Sequence, residues 1–214
     1  EGKDVITYQK PEVGKKQQRL TAPATSDEFT GKKLGLQWQW NHNPDNANWS
    51  LTERKGYMRL KALPADNLKV ARNTLTQRVQ GPSSEGSVEL DLTGLKDGNV
   101  AGLGIFQLPY AYVAVVQEGM QRKIVMSNQD KVVESVDLNQ ADKIRFRARV
   151  MDKNFTARFY YSLDGKTYYP IGDELKMGLG FPWTGNRFAL FNFTTKEGGQ
   201  GGYADFNWFH FTNK

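Results

Sequence analysis

The chain has 214 residues, of which 38% are hydrophobic and 24% charged, with a formal net charge of +6 and no cysteine. The length suits one large domain or two small ones, the lack of cysteine excludes disulfides, thiol nucleophiles and thiolate metal sites, and two histidines exclude a multi-histidine metal site. No apolar run is long enough for a transmembrane helix, and the basic residues are interspersed with acidic ones, which predicts a solvated surface and neither a nucleic-acid nor a membrane partner.

The first 21 residues differ in composition from the rest of the chain. Pro11, Gly14 and the polar run 15–19 form a segment without hydrophobic periodicity. The segment also lacks the apolar region of a signal peptide. We therefore predict a linker over 1–21 that continues a longer chain on its N-terminal side, and one domain over 22–214.

Strand patterns run from residue 34 almost to the C terminus. Leu34, Leu36, Trp38 and Trp40 alternate with small or polar residues, which is the period of a half-buried strand. Dipeptides such as Asp97-Gly98 supply turns between strands. The fold class predicted is therefore all-β, a two-sheet antiparallel β-sandwich. Strands are predicted at 34–40, 57–62, 87–92, 100–107, 112–118, 123–127, 131–136, 144–150, 155–161, 188–194 and 203–212.

One strand carries a possible catalytic pair. Glu89 and Asp91 lie on the same face, as two of the three carboxylates do in sandwich-fold endoglucanases that resemble laminarinases. The second glutamate of that pattern is replaced by Thr93, although a retaining glycosidase needs two carboxyl groups about 5 Å apart. A self-sufficient glycosidase that uses Glu89 and Asp91 is therefore the rival hypothesis.

The C-terminal strand contains an acid among aromatic residues. Asp205 follows Tyr203 and precedes Phe206, and a buried carboxylate is costly unless it is paired, hydrogen-bonded or bound to a metal. Two further acids, Asp27 and Glu28, lie where the first strand is expected to begin. A calcium ion between the two segments is one interpretation; a hydrogen-bonded aspartate beside a turn is the other.

The segment 178–187 is a glycine-rich loop with two large aromatic residues, Phe181 and Trp183, and it ends at Asn186 and Arg187. Large aromatic side chains on a loop tend to cover something. They are expected to stack on sugar rings, to dock on a neighbouring domain, or to fold back as a lid on the core.

A row of arginines is predicted on one sheet face. Arg145, Arg147 and Arg149 alternate with apolar residues, and Arg158 follows on the next strand. The face is either a solvated outer surface, which we favour, or a basic surface for uronic acids or a neighbouring domain.

Several stretches together resemble a known family. They include the run LGLQWQWNHNPD at 34–45, ARNTLTQR at 71–78, AGL at 101–103 and ADF at 204–206. They resemble the C-terminal concanavalin A-like domain of glycoside hydrolase family 43 β-xylosidases and α-L-arabinofuranosidases, and the resemblance covers 22–214. It implies a jelly-roll sandwich that follows a catalytic β-propeller, with 1–21 as the connector.

The resemblance also implies a function. The chain would be a non-catalytic accessory domain of an enzyme that degrades xylan or arabinoxylan, packed on the propeller and able to bind xylan or xylo-oligosaccharides. Phe181, Trp183, Asn186 and Arg187 would bind carbohydrate or help to close the substrate pocket. Family members carry a structural Ca²⁺ whose ligands would correspond to Asp27 and Asp205. A free-standing lectin-like binder is a third alternative.

Overall fold

The computed structural model describes residues 7, 9, 14, 21–138, 141–178 and 185–213. Phe181, Trp183 and most of the predicted linker lie outside these residues, so their roles stay predictions. The described residues form three short 3₁₀ turns and fifteen strands. The strands are β1 Gln39–Trp40, β2 Trp49–Ser50, β3 Met58–Lys61, β4 Leu63–Pro64, β5 Leu75–Arg78, β6 Ser83–Asp91, β7 Asn99–Phe106, β8 Ala111–Glu118, β9 Gln121–Asn128, β10 Lys131–Leu138, β11 Lys143–Met151, β12 Thr156–Ser162, β13 Tyr169–Lys176, β14 Arg187–Thr194 and β15 Tyr203–Asn213.

The strands form two sheets. The eight-stranded sheet has the order β1-β5-β14-β7-β8-β9-β10, and β4 pairs with β14 in parallel. The seven-stranded sheet has the order β13-β12-β11-β6-β15-β3-β2. All other pairings are antiparallel, and the two inner faces enclose one hydrophobic core that draws on both sheets. This confirms the predicted two-sheet sandwich.

The eight-stranded sheet is also buried on its outer face. Phe106, Tyr112 and Phe191 point outward there and pack with Leu68 and Ala71 from the segment between β4 and β5. Because this segment covers them, all the residues of β7 and β14 are buried, which explains their almost continuous apolar sequence. Within the described residues, no helix has the length and apolar character needed to span a membrane.

Two predictions about strands are wrong in part. Of the predicted strand over 34–40 only β1 forms, because the Trp38 amide donates to the Gly35 carbonyl at 3.2 Å and closes a turn. The aromatic sequence of 203–211 predicts a strand that is buried on both faces, but in β15 Trp208 is half-buried and His210 is exposed on the outer face. The short strands β2 and β4, together with β5 and β13, were not predicted.

Candidate functional site

Ion pairs link the two neighbouring strands β6 and β11 on the outer face of the seven-stranded sheet. Arg145 Nε lies 2.8 Å from Glu89 Oε2, and Arg147 Nε and Arg149 Nη2 lie 3.2 and 2.9 Å from the two Glu85 oxygens. Both glutamates are only 8% exposed. The arginines therefore cover buried carboxylates, and we call this set of five residues the paired arginine face.

A second ion-pair group continues the same face towards β3. Asp205 is 1% exposed, and its two oxygens accept hydrogen bonds from Arg59 Nε and Nη2 at 2.7 and 2.8 Å. Arg54 Nη1 bridges Asp205 at 3.0 Å and Asp91 at 2.7 Å. Asp205 is thus buried with a bidentate arginine partner, a strong ion-pair geometry.

Aromatic rings lie against the guanidinium groups of this face. Each pairing adds a cation–π contact to an arginine that already has a carboxylate partner. The surface is therefore a closed network of matched charges, which supports the solvated-face interpretation over a free basic surface. The pairs are Arg54 with Tyr57, Arg59 with Tyr203, Arg145 with Trp208, Arg147 with Tyr168 and Arg149 with Tyr160.

The network also bears on the rival catalytic hypothesis. Burial on its own would raise the pKa of Glu89 and Asp91. Hydrogen bonds from Arg145 to Glu89, and from Thr93 and Arg54 to Asp91, outweigh burial and lower both pKa values. A glycosidase of this type needs one protonated carboxyl group as its acid. The geometry supplies two ionised, arginine-bound carboxylates instead.

Arg187 lies in a different environment at the start of β14. It is 7% exposed, and its guanidinium donates to Asn41 Oδ1 at 2.8 Å and Thr76 Oγ1 at 3.4 Å, above the ring of Phe106. In the described part of the chain no carboxylate lies within ion-pair distance of it, and its buried Nε has no hydrogen-bond partner. Burial and the neighbouring charge of Arg78 lower the pKa of Arg187.

Asn186 fixes the end of the loop that precedes Arg187. Its Nδ2 donates to the Gly178 carbonyl at 2.9 Å, across the gap in the described residues, and its own carbonyl accepts from the Val79 amide at 3.0 Å. The loop that contains Phe181 and Trp183 therefore starts and ends beside Arg187. Asn186 and Arg187 are consecutive residues, and their role in carbohydrate binding or pocket closure stays a prediction. We take this end of the eight-stranded sheet as the candidate functional site.

Comparisons with known proteins identify the fold and its family. Residues 26–212 match the model of the β-xylosidase C-terminal concanavalin A-like domain. The chain belongs to this family. It is 35% identical to a β-xylosidase of Formosa agariphila over 97% of the chain and 38% of the relative, and 36% identical to a putative β-xylosidase of Xylanibacter ruminicola over 87% of the chain and 33% of the relative.

Solved structures agree with this assignment. The concanavalin A-like domain superposes with a TM-score of 0.83 on a bifunctional GH43-CE protein of Bacteroides eggerthii, with 46% identity over 88% of this chain and 26% of that one. A structure of a GH43 glycoside hydrolase engineered to display endo-xylanase and exo-arabinofuranosidase activity gives the same TM-score at 30% identity, over 92% of this chain and 42% of that one. The domain spans about a third of the length of the curated β-xylosidases that it matches.

Within this domain, Asp27 serves the N-terminal segment. Its backbone pairs with Phe209 of β15. Its Oδ1 accepts from the Phe29 amide and its Oδ2 from Trp38 Nε1, both at 2.8 Å. Asp27 therefore fastens the turn that anchors the Trp38 indole in the core.

The predicted calcium ligands do not converge in the domain. Asp27 lies opposite Phe209, which is four positions along β15 from Asp205 and so on the order of 10 Å away. The oxygens of Asp205 accept from arginines, and Glu28 instead pairs with His210 at 2.7 Å. Calcium sites gather six to eight oxygen ligands, so Asp27 and Asp205 do not fit a shared ion. The described residues contain no group of three or more acidic or histidine side chains placed to hold a metal.

Sequence reasoning missed the residues that complete the environments of Asp205 and Arg187. Arg59 alternates with Met58 and Leu60 in β3, which indicates an outward position, but its pairing with Asp205 depends on the register between β3 and β15. Asn41 ends the WQWN motif and reaches Arg187 across 146 positions of sequence. Neither partner has a local signal in the sequence.

Proposed function

We propose that the chain is a non-catalytic accessory domain of a xylan- or arabinoxylan-degrading glycoside hydrolase. In this proposal residues 1–21 are a linker from a catalytic β-propeller in the same polypeptide, residues 22–214 pack on that propeller, and the domain also binds xylose-based chains. Family membership and the one-third coverage of the β-xylosidase relatives support this arrangement.

The observation that carries the proposal is the unpaired charge of Arg187. A buried cation without a counter-ion is costly in a protein interior. Among the described residues no carboxylate lies within ion-pair distance of Arg187, which supports the proposal that an anion faces it in the assembled enzyme. Arg187 and Asn186 lie at the end of the loop 178–187. A carboxylate of the propeller beside this loop would form an ion pair with Arg187, neutralise its charge and hold the domain at the substrate pocket.

Phe181 and Trp183 extend the proposal to the substrate. Their loop starts and ends at the positions that Asn186 joins, next to Arg187. In the proposed assembly these two rings reach the propeller pocket and help to close it over the sugar.

Two assays test the proposal. The chain alone, incubated with xylan, laminarin and aryl glycosides, should give no turnover, and turnover that Glu89→Gln abolishes would contradict the accessory role. In the polypeptide that includes the propeller, Trp183→Ala should lower kcat/KM on xylo-oligosaccharides. Unchanged kinetics would reject the pocket-closing role of the loop.

A further inference from the structure

A cleft lies beside the edge of the eight-stranded sheet, where β1 pairs with β5. Its volume is about 790 Å³, within the range of small-molecule sites. Four of the residues that line it are glutamines, and a tryptophan and an arginine also contribute. The glutamines are Gln37, Gln39, Gln77 and Gln80.

Gln77 has an unusual environment in this cleft. It is 3% exposed, and neither its amide oxygen nor its amide nitrogen has a hydrogen-bond partner among the described residues. By contrast Gln117, which is 6% exposed, donates to the carbonyls of Gly119 and Gln121 and accepts from Arg122. A buried amide without partners costs stability, so contacts among the described residues do not account for the burial of Gln77.

The rim of the cleft carries both apolar and polar side chains. Pro23 and Ala24 are exposed on one side, and Leu36 at the tip of the turn is fully exposed. Gln39 is also exposed at the rim, and Arg78 is the one charged side chain among the described residues that line the cleft. Apolar carbons next to amide donors and acceptors match a sugar ring, whose faces present C–H groups and whose edge presents hydroxyls.

We propose that this cleft is a binding site for a short, uncharged xylose-based chain, with Gln77 at its floor and Gln39 and Leu36 at its rim. An amide pairs with a hydroxyl as both donor and acceptor, so sugar hydroxyls supply the two partners that Gln77 lacks. The inference rests on the carbohydrate-binding part of the proposed function and gives that part a location. It is independent of the packing of Arg187 on another domain.

The test is titration of the 214-residue chain with xylohexaose by calorimetry, with laminarihexaose as a second sugar. Gln77→Leu should weaken xylohexaose binding at least about tenfold, equivalent to about 1.4 kcal/mol. The same variant should keep or raise the melting temperature, because it removes an unpartnered buried amide. Gln39→Ala, at an exposed position, should weaken binding by a smaller factor without affecting folding.

Gln117→Leu is the matched control, because it removes a buried glutamine that has all its partners and lies away from the cleft. It should lower the melting temperature and leave xylohexaose affinity unchanged. If xylohexaose binds equally to wild type, Gln77→Leu and Gln39→Ala, the cleft assignment is overturned while carbohydrate binding stands. If xylohexaose does not bind at all, both the inference and the carbohydrate-binding role fail, whereas the packing role is unaffected.

Discussion

Arginines lie on the outer faces of both sheets, but the side chains that surround their charges differ between the two sheets. On the seven-stranded sheet Arg59 and Arg145 each cover a buried carboxylate within 2.8 Å. On the eight-stranded sheet Arg187 is more deeply buried than either, and within the described part of the chain its hydrogen-bond partners are the neutral Asn41 and Thr76. Ion pairs inside the domain serve its own fold, whereas the buried charge of Arg187, which has no ion-pair partner among the described residues, is the one that we propose a group outside the domain neutralises.

The largest effect is expected at Asp205. Arg59→Met removes the bidentate partner of a carboxylate that is 1% exposed. Breaking one side of a buried pair costs about 3 to 5 kcal/mol of unfolding free energy, which urea denaturation measures. The double variant Arg59→Met/Asp205→Leu should recover part of that loss, and a double variant as unstable as the single one would show that Asp205 is not the cause.

A smaller and pH-dependent effect is expected at Glu89. Its lowered pKa gives stability that is present above about pH 4.3, the unfolded value, and is lost as the pH falls through the folded value. Arg145→Met should therefore lower the unfolding free energy by about 1.5 kcal/mol at pH 7. The difference in unfolding free energy between variant and wild type should become smaller as the pH falls below 4. A gap that is constant from pH 7 to pH 3 would mean that the side chain contributes by packing alone.

In contrast to Arg59 and Arg145, replacing Arg187 should hardly change the stability of the isolated domain. Arg187→Met loses hydrogen bonds to two neutral acceptors, but it also relieves the burial of a charge and its repulsion by Arg78. We expect an unfolding free energy within about 1 kcal/mol of wild type. Arg78→Met, at the exposed cross-strand neighbour, is the control. A loss as large as that of Arg59→Met would remove the distinction between the two sheets.

The smallest effect is expected from metal removal. The oxygens of Asp27 and Asp205 already accept from N–H groups and guanidinium groups, so neither carboxylate needs an ion to balance it. Neither chelator nor added calcium should change the melting temperature. A rise on adding calcium that is lost in Asp27→Asn would restore the shared calcium site implied by the family resemblance.

The sequence predicts local features of the fold better than pairings across it. Alternation in β6, β11 and β12 assigned the core and outer faces correctly, because side-chain direction in a strand depends only on its period. The segment 34–38 has the same alternation but forms a turn, since Trp38 bonds to Gly35 and to Asp27. That outcome depends on tertiary contacts that a local pattern does not contain.

The candidate site divides in the same way. The glycines of 178–187 predict a shaped loop, most of which lies outside the described residues, whereas the hydrogen bond from Asn186 to the Gly178 carbonyl has no counterpart in the sequence pattern. That Asp205 pairs with arginine and not with calcium depends on the register of β3 against β15. That the buried Gln77 amide has no hydrogen-bond partner among the described residues depends on packing at the sheet edge. Both are properties of contacts distant in sequence, which composition and spacing do not reveal.

The most direct test of the account compares Arg187→Met in two contexts: the isolated domain and the polypeptide that joins it to the catalytic propeller. The account predicts near-wild-type stability in the isolated domain but a loss of at least about tenfold in kcat/KM on xylo-oligosaccharides in the joined polypeptide, because truncating one partner of a buried charge pair costs 2 kcal/mol or more. Unchanged kcat/KM in the joined polypeptide would contradict the claim that Arg187 faces a partner group.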